Sequence, residues 1–292
     1  MVKSGKKFSP PKIHLAAIGN ELLNAEIRDS NLAWLIKNFT GMGGAVLKAN
    51  IIPDDFDAVA SEITDAKRKK IDYLVTTGGL GPTDDDATFL AIAYSLKTGV
   101  ALNRTAMKMI KERLEALKVF RPGLPQSLNR ERKSQAYMPP GSEPLFNPVG
   151  VAPGLRMMVG NTMLISLPGV PSEMKGIMTI TLGDFWEEKF RDTYYVRNNV
   201  SIWGIPEAEL AGYIRRANAI DPDVYIKSRL RHSGKRVPTN VIVEPQKLPW
   251  FILLHFSTID QSRKFARNRI NAVRDSLLSD LRARYKYPYH IG

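Results

Sequence analysis

Between Lys12 and about Gly183, short apolar runs alternate with longer stretches of helical period, and this alternation constrains the fold more than any other feature. His14–Ile18 reads as a buried strand, Asn31–Phe39 as a helix with Leu32, Leu35 and Ile36 on one face, and Ala45–Ile51 as a second strand. A helix from about Asp55 to Lys69 and a strand over Ile71–Thr76 follow. Strands separated by helices cannot pair as hairpins. They need crossovers, which implies a mostly parallel sheet covered by helices on both faces. Further helices are predicted over Thr83–Lys97, with Gly99 as the stop, and from an Asn103 cap to about Lys118. Arg121–Leu155 is rich in Pro and Gly and reads as a long structured loop segment over the sheet. Met157–Val159 and Met163–Leu167 form a predicted hairpin around Gly160-Asn161, and a helix should begin near Ser172.

The pattern changes after about Phe190. Strands are predicted over Thr193–Trp203, Val224–Arg229, Val237–Val243 and Phe251–Ser257, with helices over Glu207–Ala217 and Asp260–Arg284. The organisation expected is a flexible basic N-terminus (1–11), an α/β domain (12–185) and a smaller basic α+β domain (190–292). Residues 186–292 hold 19 Lys and Arg against 11 Asp and Glu, a net of +8 within a chain total of +13. Arg263, Lys264, Arg267 and Arg274 recur at helical spacing, which marks a solvated helix face.

Composition restricts the chemistry. The 292 residues include no cysteine, which excludes disulfides, a thiolate nucleophile, zinc ribbons and iron–sulfur clusters. The four histidines, His14, His232, His255 and His290, are too dispersed to suggest a metal site. Any catalysis therefore falls to carboxylates, hydroxyls, lysines, backbone amides or a hard cation. The positive charge asks for an anionic partner. Neither a secretory h-region nor an apolar run of membrane-spanning length is present, so a cytoplasmic protein that spans no membrane is expected.

Thr76-Thr77-Gly78-Gly79-Leu80-Gly81-Pro82-Thr83-Asp84-Asp85-Asp86-Ala87-Thr88 is the most informative segment, lying where a strand hands over to a helix. Glycines let backbone N–H groups approach an oxyanion, and a helix N-terminus adds partial positive charge. Three acids beside such a loop repel a phosphate unless a divalent cation bridges them. The alternative is that Thr83 and the aspartates simply cap the helix. Two other strand-to-helix turns carry polar groups: Gly19-Asn20-Glu21 with Asp29-Ser30-Asn31, and Pro168-Gly169-Val170-Pro171-Ser172. Each is as readily a turn, with Ser30 as an N-cap in the first and ordinary Pro and Gly punctuation in the second.

Taken together, I-G-N-E-L-L with D-S-N, then T-T-G-G-L-G-P-T-D-D-D-A-T, then N-P-V-G-V-A-P-G (Asn147–Gly154), then L-P-G-V-P-S-E-M resemble, in that order, the N-terminal domain of the CinA proteins. That domain belongs to the wider molybdopterin-binding group of MoaB, MogA and the gephyrin-type adenylyltransferases. The resemblance covers roughly residues 12–183, and more loosely Trp203 to about Leu281. It implies a three-layer α/β/α molybdopterin-binding-type fold, with the smaller α+β unit appended, and a pocket for a pterin or nucleotide phosphate. CinA-type relatives are associated with metal-assisted cleavage of a nucleotide pyrophosphate such as ADP-ribose, whereas the molybdenum-cofactor members adenylylate molybdopterin. Homo-oligomers are common among them, so one is expected here. The nicotinamide-mononucleotide deamidase domain of full-length bacterial CinA is not expected in this chain.

Carried onto this sequence, the resemblance assigns Asp85 and Asp86 to catalysis and to Mg²⁺, or Mn²⁺ or Co²⁺ in its place. Ligand contacts are implied for Gly19, Asn20, Glu21, Asp29, Asn31, Thr77, Gly78, Gly79, Gly81, Thr83, Thr88, Pro168, Gly169 and Ser172. Lys227 is a further candidate for reaching a phosphate, or else part of a solvated basic loop. Asp85 stands where the adenylyltransferases carry Arg, and Asp84 where CinA proteins often carry Lys, which makes this loop more acidic. Asn20 replaces a common Asp. The leading expectation is hydrolysis of an ADP-ribose-like pyrophosphate; molybdopterin binding or adenylylation is the alternative. A non-catalytic binding protein or a nucleic-acid module is the reading from another class, and no zinc finger, aromatic RNA-binding motif or recognition helix supports the latter.

Overall fold

The structure is a computed structural model, described here for residues 8–83, 86–120, 128–232, 250–285 and 289–290. It divides into two units, one of residues 11–191 and one of residues from 192 onward together with 8–10.

The first unit begins with β1 (Lys12–Ile18), the short α1 (Asn20–Leu23), α2 (Asn31–Gly41), β2 (Ala45–Ile52), α3 (Phe56–Arg68) and β3 (Tyr73–Thr77). Next come α4 (Thr88–Ser95), β4 (Ala101–Leu102), α5 (Arg104–Phe120), α6 (Arg130–Ser134), β5 (Tyr137–Met138) and β6 (Glu143–Leu145). The unit ends with β7 (Gly154–Val159), β8 (Thr162–Leu167), α7 (Pro171–Gly176), a π-helical stretch over Ile177–Thr181, and α8 (Gly183–Lys189). Six strands form a sheet in the order β2-β1-β3-β8-β7-β6, parallel through β8 and antiparallel beyond it.

Strand β1 shows how the layers arise. Its odd residues Ile13, Leu15 and Ala17 pack on one face with Leu35 and Phe39 of α2 and Trp186 of α8. Ala16 and Ile18 face the other way, against Val59 and Ile63 of α3, Ile92 of α4 and Ile110 of α5. A period of two in a strand thus serves two helical layers, the three-layer α/β/α arrangement. His14 is buried in this strand, its Nδ1 without a partner among the described residues, and burial pushes its pKa down. It is a neutral core residue.

Local signals set the ends of the elements. The Asp55 carboxylate accepts the Ala58 N–H to start α3, and Asn103 Oδ1 accepts the Ala106 N–H at the head of α5. The β7–β8 hairpin turns at Gly160-Asn161, with Gly160 at a φ of 65°. The helix predicted from Thr83 begins instead at Thr88, since the Asp86 N–H donates to the Thr83 carbonyl and the Thr88 N–H to the Gly79 carbonyl rather than along the helix. The Pro- and Gly-rich segment is less irregular than its composition suggests, since α6 and β5 lie within it and β5 pairs with β4.

The second unit contains β9 (Tyr194–Ile202), α9 (Glu207–Ile220), β10 (Tyr225–His232), β11 (Trp250–Asp260), α10 (Arg263–Arg284) and β12 (Tyr289–His290). Its antiparallel sheet runs β10-β11-β9-β12. Val200, Ile202, Ile226, Leu254 and Phe256 on one face meet Leu210 of α9 and Ile270, Val273 and Leu277 of α10. The final helix starts at Arg263, with Ser262 as its cap, three residues later than its pattern implies. The strand predicted over Val237–Val243 lies outside the described residues. No described helix is long and apolar enough to cross a membrane.

Candidate functional site

In the first unit the chain leaves β1 toward β2 on one side and later returns to place β3 on the other side of β1. Neighbouring loops therefore diverge at the carboxyl ends of β1 and β3, the place where open α/β sheets form a crevice. A cavity of about 950 Å³ lies there, bounded by the turns after β1, β3 and β8. Its volume is in the range of sites that hold a cofactor-sized molecule.

The turn after β3 is shaped by its backbone. Gly78 has a φ of 115° and Gly79 a φ of 64°, and a Cβ on Gly78 would stand 2.1 Å from the Ile18 carbonyl oxygen. A Cβ on Gly79 would stand 2.2 Å from Thr88 Oγ1. Only glycine accepts both the left-handed conformation and the contact. Thr88, expected as a ligand donor, braces this turn instead. Its buried hydroxyl donates to the Gly78 carbonyl (3.0 Å) and its N–H to the Gly79 carbonyl (3.1 Å), and it is not part of the cavity wall.

A second set of bonds ties the three turns together. Asn31 Nδ2, at the head of α2, donates to Thr77 Oγ1 (3.0 Å) and to the Gly169 carbonyl (2.7 Å). Thr77 Oγ1 in turn donates to the Pro168 carbonyl (2.8 Å). Because a carbonyl can only accept, the Gly169 bond fixes which end of the Asn31 amide is nitrogen. The amide oxygen is then buried with no partner among the described residues. Asp29 Oδ1 accepts the Leu32 N–H (3.1 Å), so Asp29 caps α2, and the side chain of Ser30 makes no cap bond.

Of the acidic run, Asp84 and Asp85 lie outside the described residues. Asp86 is on the cavity wall, and its Oδ2 accepts both the Thr83 hydroxyl (2.5 Å) and the Thr83 N–H (3.1 Å). Thr83 is thus engaged with Asp86. Gly81 lies against that carboxylate, where a Cβ would stand 2.3 Å from Oδ2. Among the described residues no three His, Asp or Glu side chains are grouped to hold a metal ion. The glycine cradle fits a phosphate-bearing ligand. The described carboxylates do not by themselves make a cation site.

Of the positions proposed from sequence for ligand contact, Glu21, Asp29, Asn31, Thr77, Pro168, Gly169 and Ser172 also line this cavity. Gly19 and Asn20 do not. The Asn20 N–H donates to Asp54 Oδ2 (2.8 Å), and Gly19 is packed under the Glu21 carboxylate. Lys227 is an exposed residue of β10 in the second unit, opposite His255 of β11.

Arg28, Arg132, Asp54, Gln135 and Glu173 are polar wall residues that are not among the candidates from sequence. Asp54 follows β2 and shares the sheet edge with the other turns, a position that strand ends alone would have flagged. Gln135 donates to the Leu80 carbonyl (2.9 Å) from a segment with no periodic signal. Glu173 accepts from Asn147 Nδ2 (2.6 Å) and sits so close to Gly150 that a Cβ there would lie 2.1 Å from its Cδ. Arg113 holds the same loop through the Val149 and Gly150 carbonyls (2.9 Å each). Burial pushes the Glu173 carboxyl above its ordinary pKa, against the opposing pull of the Asn147 bond and the Arg113 charge.

Comparison with known proteins places these features. The family model described as "Probable molybdopterin binding domain" matches residues 15–186. A protein of Pyrobaculum arsenaticum is 36% identical over 214 residues, 73% of this chain and 78% of its own length. One from Aeropyrum pernix is 34% identical over 265 residues, covering 90% and 92%. The CinA-like protein of Thermosipho melanesiensis is 34% identical over 238 residues, 79% of this chain but 56% of that one. Among solved structures, the CinA protein of unknown function from Thermoplasma acidophilum superposes with a TM-score of 0.52 at 32% identity. That match covers 59% of this chain and 98% of the other.

Proposed function

The chain belongs to the molybdopterin-binding-domain family as a CinA-like member, and from that membership we propose that its crevice binds a nucleotide or pterin through its phosphates and hydrolyses a pyrophosphate linkage of the ADP-ribose type. The observation that carries this reading is the glycine turn after β3, with Gly78 and Gly79 in left-handed conformations on the wall of a cavity of about 950 Å³. Phosphates need close approach of backbone, and this turn excludes side chains where that approach occurs. The cavity has room for a two-part ligand, one part at the glycines and the other against the turns after β1 and β8. In the reaction, water adds to one phosphorus and the bridging P–O bond breaks, giving two phosphomonoesters. Asp86, a wall carboxylate against Gly81, is assigned to this step.

Purified protein incubated with ADP-ribose, FAD or NAD should release AMP, measured with Mg²⁺, Mn²⁺ or Co²⁺ and with a chelator. Turnover no greater than that of Asp86→Ala would overturn the hydrolytic reading.

The family model's description, a probable molybdopterin binding domain, favours a second reading, molybdopterin binding with or without adenylyl transfer. The Asn31 amide oxygen, without a partner among the described residues, asks for a hydrogen-bond donor, which a pterin ring has. Tight molybdopterin binding, with ATP consumed only in its presence, would put this reading first.

A further inference from the structure

Among the described residues the second unit has the order β-α-β-β-α-β, with its sheet arranged β10-β11-β9-β12 and both long helices on one face. This is the split βαβ, or ferredoxin-like, topology. Strand alternation fixes what the opposite face carries. Since Ile226, Leu254, Phe256 and Val200 point to the helices, Tyr225, Lys227, Arg229 and Arg231 of β10 point away from them. In register beside them stand His255 and Phe251 of β11, and Arg197 and Asn199 of β9.

Lys227, Arg229, Arg231 and Arg197 are exposed, and none makes an ion pair with a described carboxylate. No acidic residue occurs among the outward positions of β10, from Tyr225 to Arg231, or of β9, from Tyr195 to Ser201. Tyr225 is 60% exposed at the end of the cationic row. Asn199 is exposed and paired to His255 Nδ1 at 2.8 Å, and His255 is held below its ordinary pKa by burial and by the nearby Arg197 and Arg229 charges. Arg197 and Arg229 thus stand on either side of His255 on the same face. By contrast, the Arg269 guanidinium on the helix side is spent on Asp221, Asp223 and Asp260.

We propose that this outward sheet face binds single-stranded RNA, with the phosphates along Lys227, Arg229, Arg231 and Arg197, a base stacked on Tyr225, and Asn199 within reach of a ribose 2′-hydroxyl. A row of cations unpaired among the described residues matches a phosphate chain in charge, and an exposed ring beside it adds what an acidic peptide would not use, a platform for a base. The open sheet face presents these groups to unstacked nucleotides rather than to a groove. This inference concerns the second unit alone and is independent of the crevice chemistry.

The test is fluorescence anisotropy of the full chain with a labelled, mixed-sequence RNA of about twelve nucleotides and with DNA of the same sequence. Three or four phosphate contacts predict affinity falling about 20- to 50-fold as salt rises from about 50 to about 200 mM. The triple variant Lys227→Glu, Arg229→Glu, Arg231→Glu should lose at least about tenfold. Tyr225→Ala should lose about fivefold or more, and Tyr225→Phe should retain most of the affinity because the ring remains. The charge-matched control on α10, Arg263→Glu, Lys264→Glu and Arg267→Glu, all exposed positions, should change affinity less than about twofold. An equal loss in that control, equal loss in Tyr225→Phe and Tyr225→Ala, or tighter binding of DNA than of RNA would overturn the proposal.

Discussion

The crevice at the carboxyl edge of the six-stranded sheet and the outward face of the four-stranded sheet are built by opposite means. In the crevice, backbone conformation makes the surface: Gly78 and Gly79 are left-handed, and Asn31 and Thr77 hydrogen-bond main-chain carbonyls of the turn after β8. On the outward face the backbone is ordinary ladder and everything distinctive is side chain. The charges differ as well. Glu21, Asp29, Asp54, Asp86 and Glu173 border the crevice together with Arg28 and Arg132, an acidic excess, whereas the described cations of the β10 row have no acid among the outward positions of β9 and β10. A net charge of +13 is therefore a poor guide to either region alone. It also follows that function and stability are joined in the crevice and separable on the face.

The largest test of that contrast is Gly78→Ala against Arg229→Glu. The alanine must place a Cβ 2.1 Å from the Ile18 carbonyl oxygen at a φ of 115°, so strand ends have to move. A loss of about 3 kcal/mol or more in urea unfolding is expected, together with loss of crevice ligand binding. Arg229→Glu, exposed and unpaired among the described residues, should stay within about 0.5 kcal/mol while changing binding to the face. A Gly78→Ala cost below about 1 kcal/mol would show that the turn relaxes, and the division drawn between the regions would fail.

Next in size is Asn31→Ala. The amide bridges Thr77 Oγ1 and the Gly169 carbonyl at the same time, across sequence separations of 46 and 138 residues. Truncation takes the donor away from the buried Thr77 hydroxyl and from the part-buried Gly169 carbonyl, with an expected cost of about 2 kcal/mol by denaturant titration. A smaller cost, with ligand affinity lost all the same, would mean that Asn31 serves the ligand more than the fold.

The two regions also differ in how much of them the sequence reveals. Strand and helix alternation announces the parallel sheet, since periods of 2 and 3.6 are properties of residue order, and the ends of β1, β3 and β8 are where the glycines stand. The crevice was visible to that extent. Which polar group would face the cavity was not, because the bonds that decide it are long-range. Thr88 looks identical to a ligand donor until Gly78 is seen beneath it, and Glu173 looks like a helix-start acid until the loop carrying Gly150 wraps it. Asp29, rather than Ser30, caps α2, and a choice between adjacent polar residues rests on one backbone angle. On the second unit the basic residues were countable but not their alignment. Lys227, Arg229 and Arg231 become one row only when β10 is known to be a strand through His232, three residues beyond the apolar pattern that signals it.

The smallest effect sharpens the comparison most, because its sign is set by burial in the crevice. Burial raises the Glu173 carboxyl above its ordinary value of 4.5, so the folded chain holds that proton more tightly than the unfolded chain does. For such a group, stability is greatest below the unfolded value and declines as pH rises through the folded one. Asp65, held well below the carboxylate range chiefly by its hydrogen bond to Lys69, behaves in the opposite way: its contribution is present above the ordinary value and is lost as pH falls. Glu173→Gln keeps an oxygen for Asn147 Nδ2 yet cannot ionise. The variant is expected to match the parent near pH 4 and to exceed it by about 0.5 kcal/mol at pH 7, a difference thermal unfolding across that range can resolve. If so, an ionised Glu173 persists at a cost to folding, which places it with the ligand. A variant less stable at pH 7 would instead make the ionised carboxylate, with Arg113 nearby, a structural strut of the crevice wall.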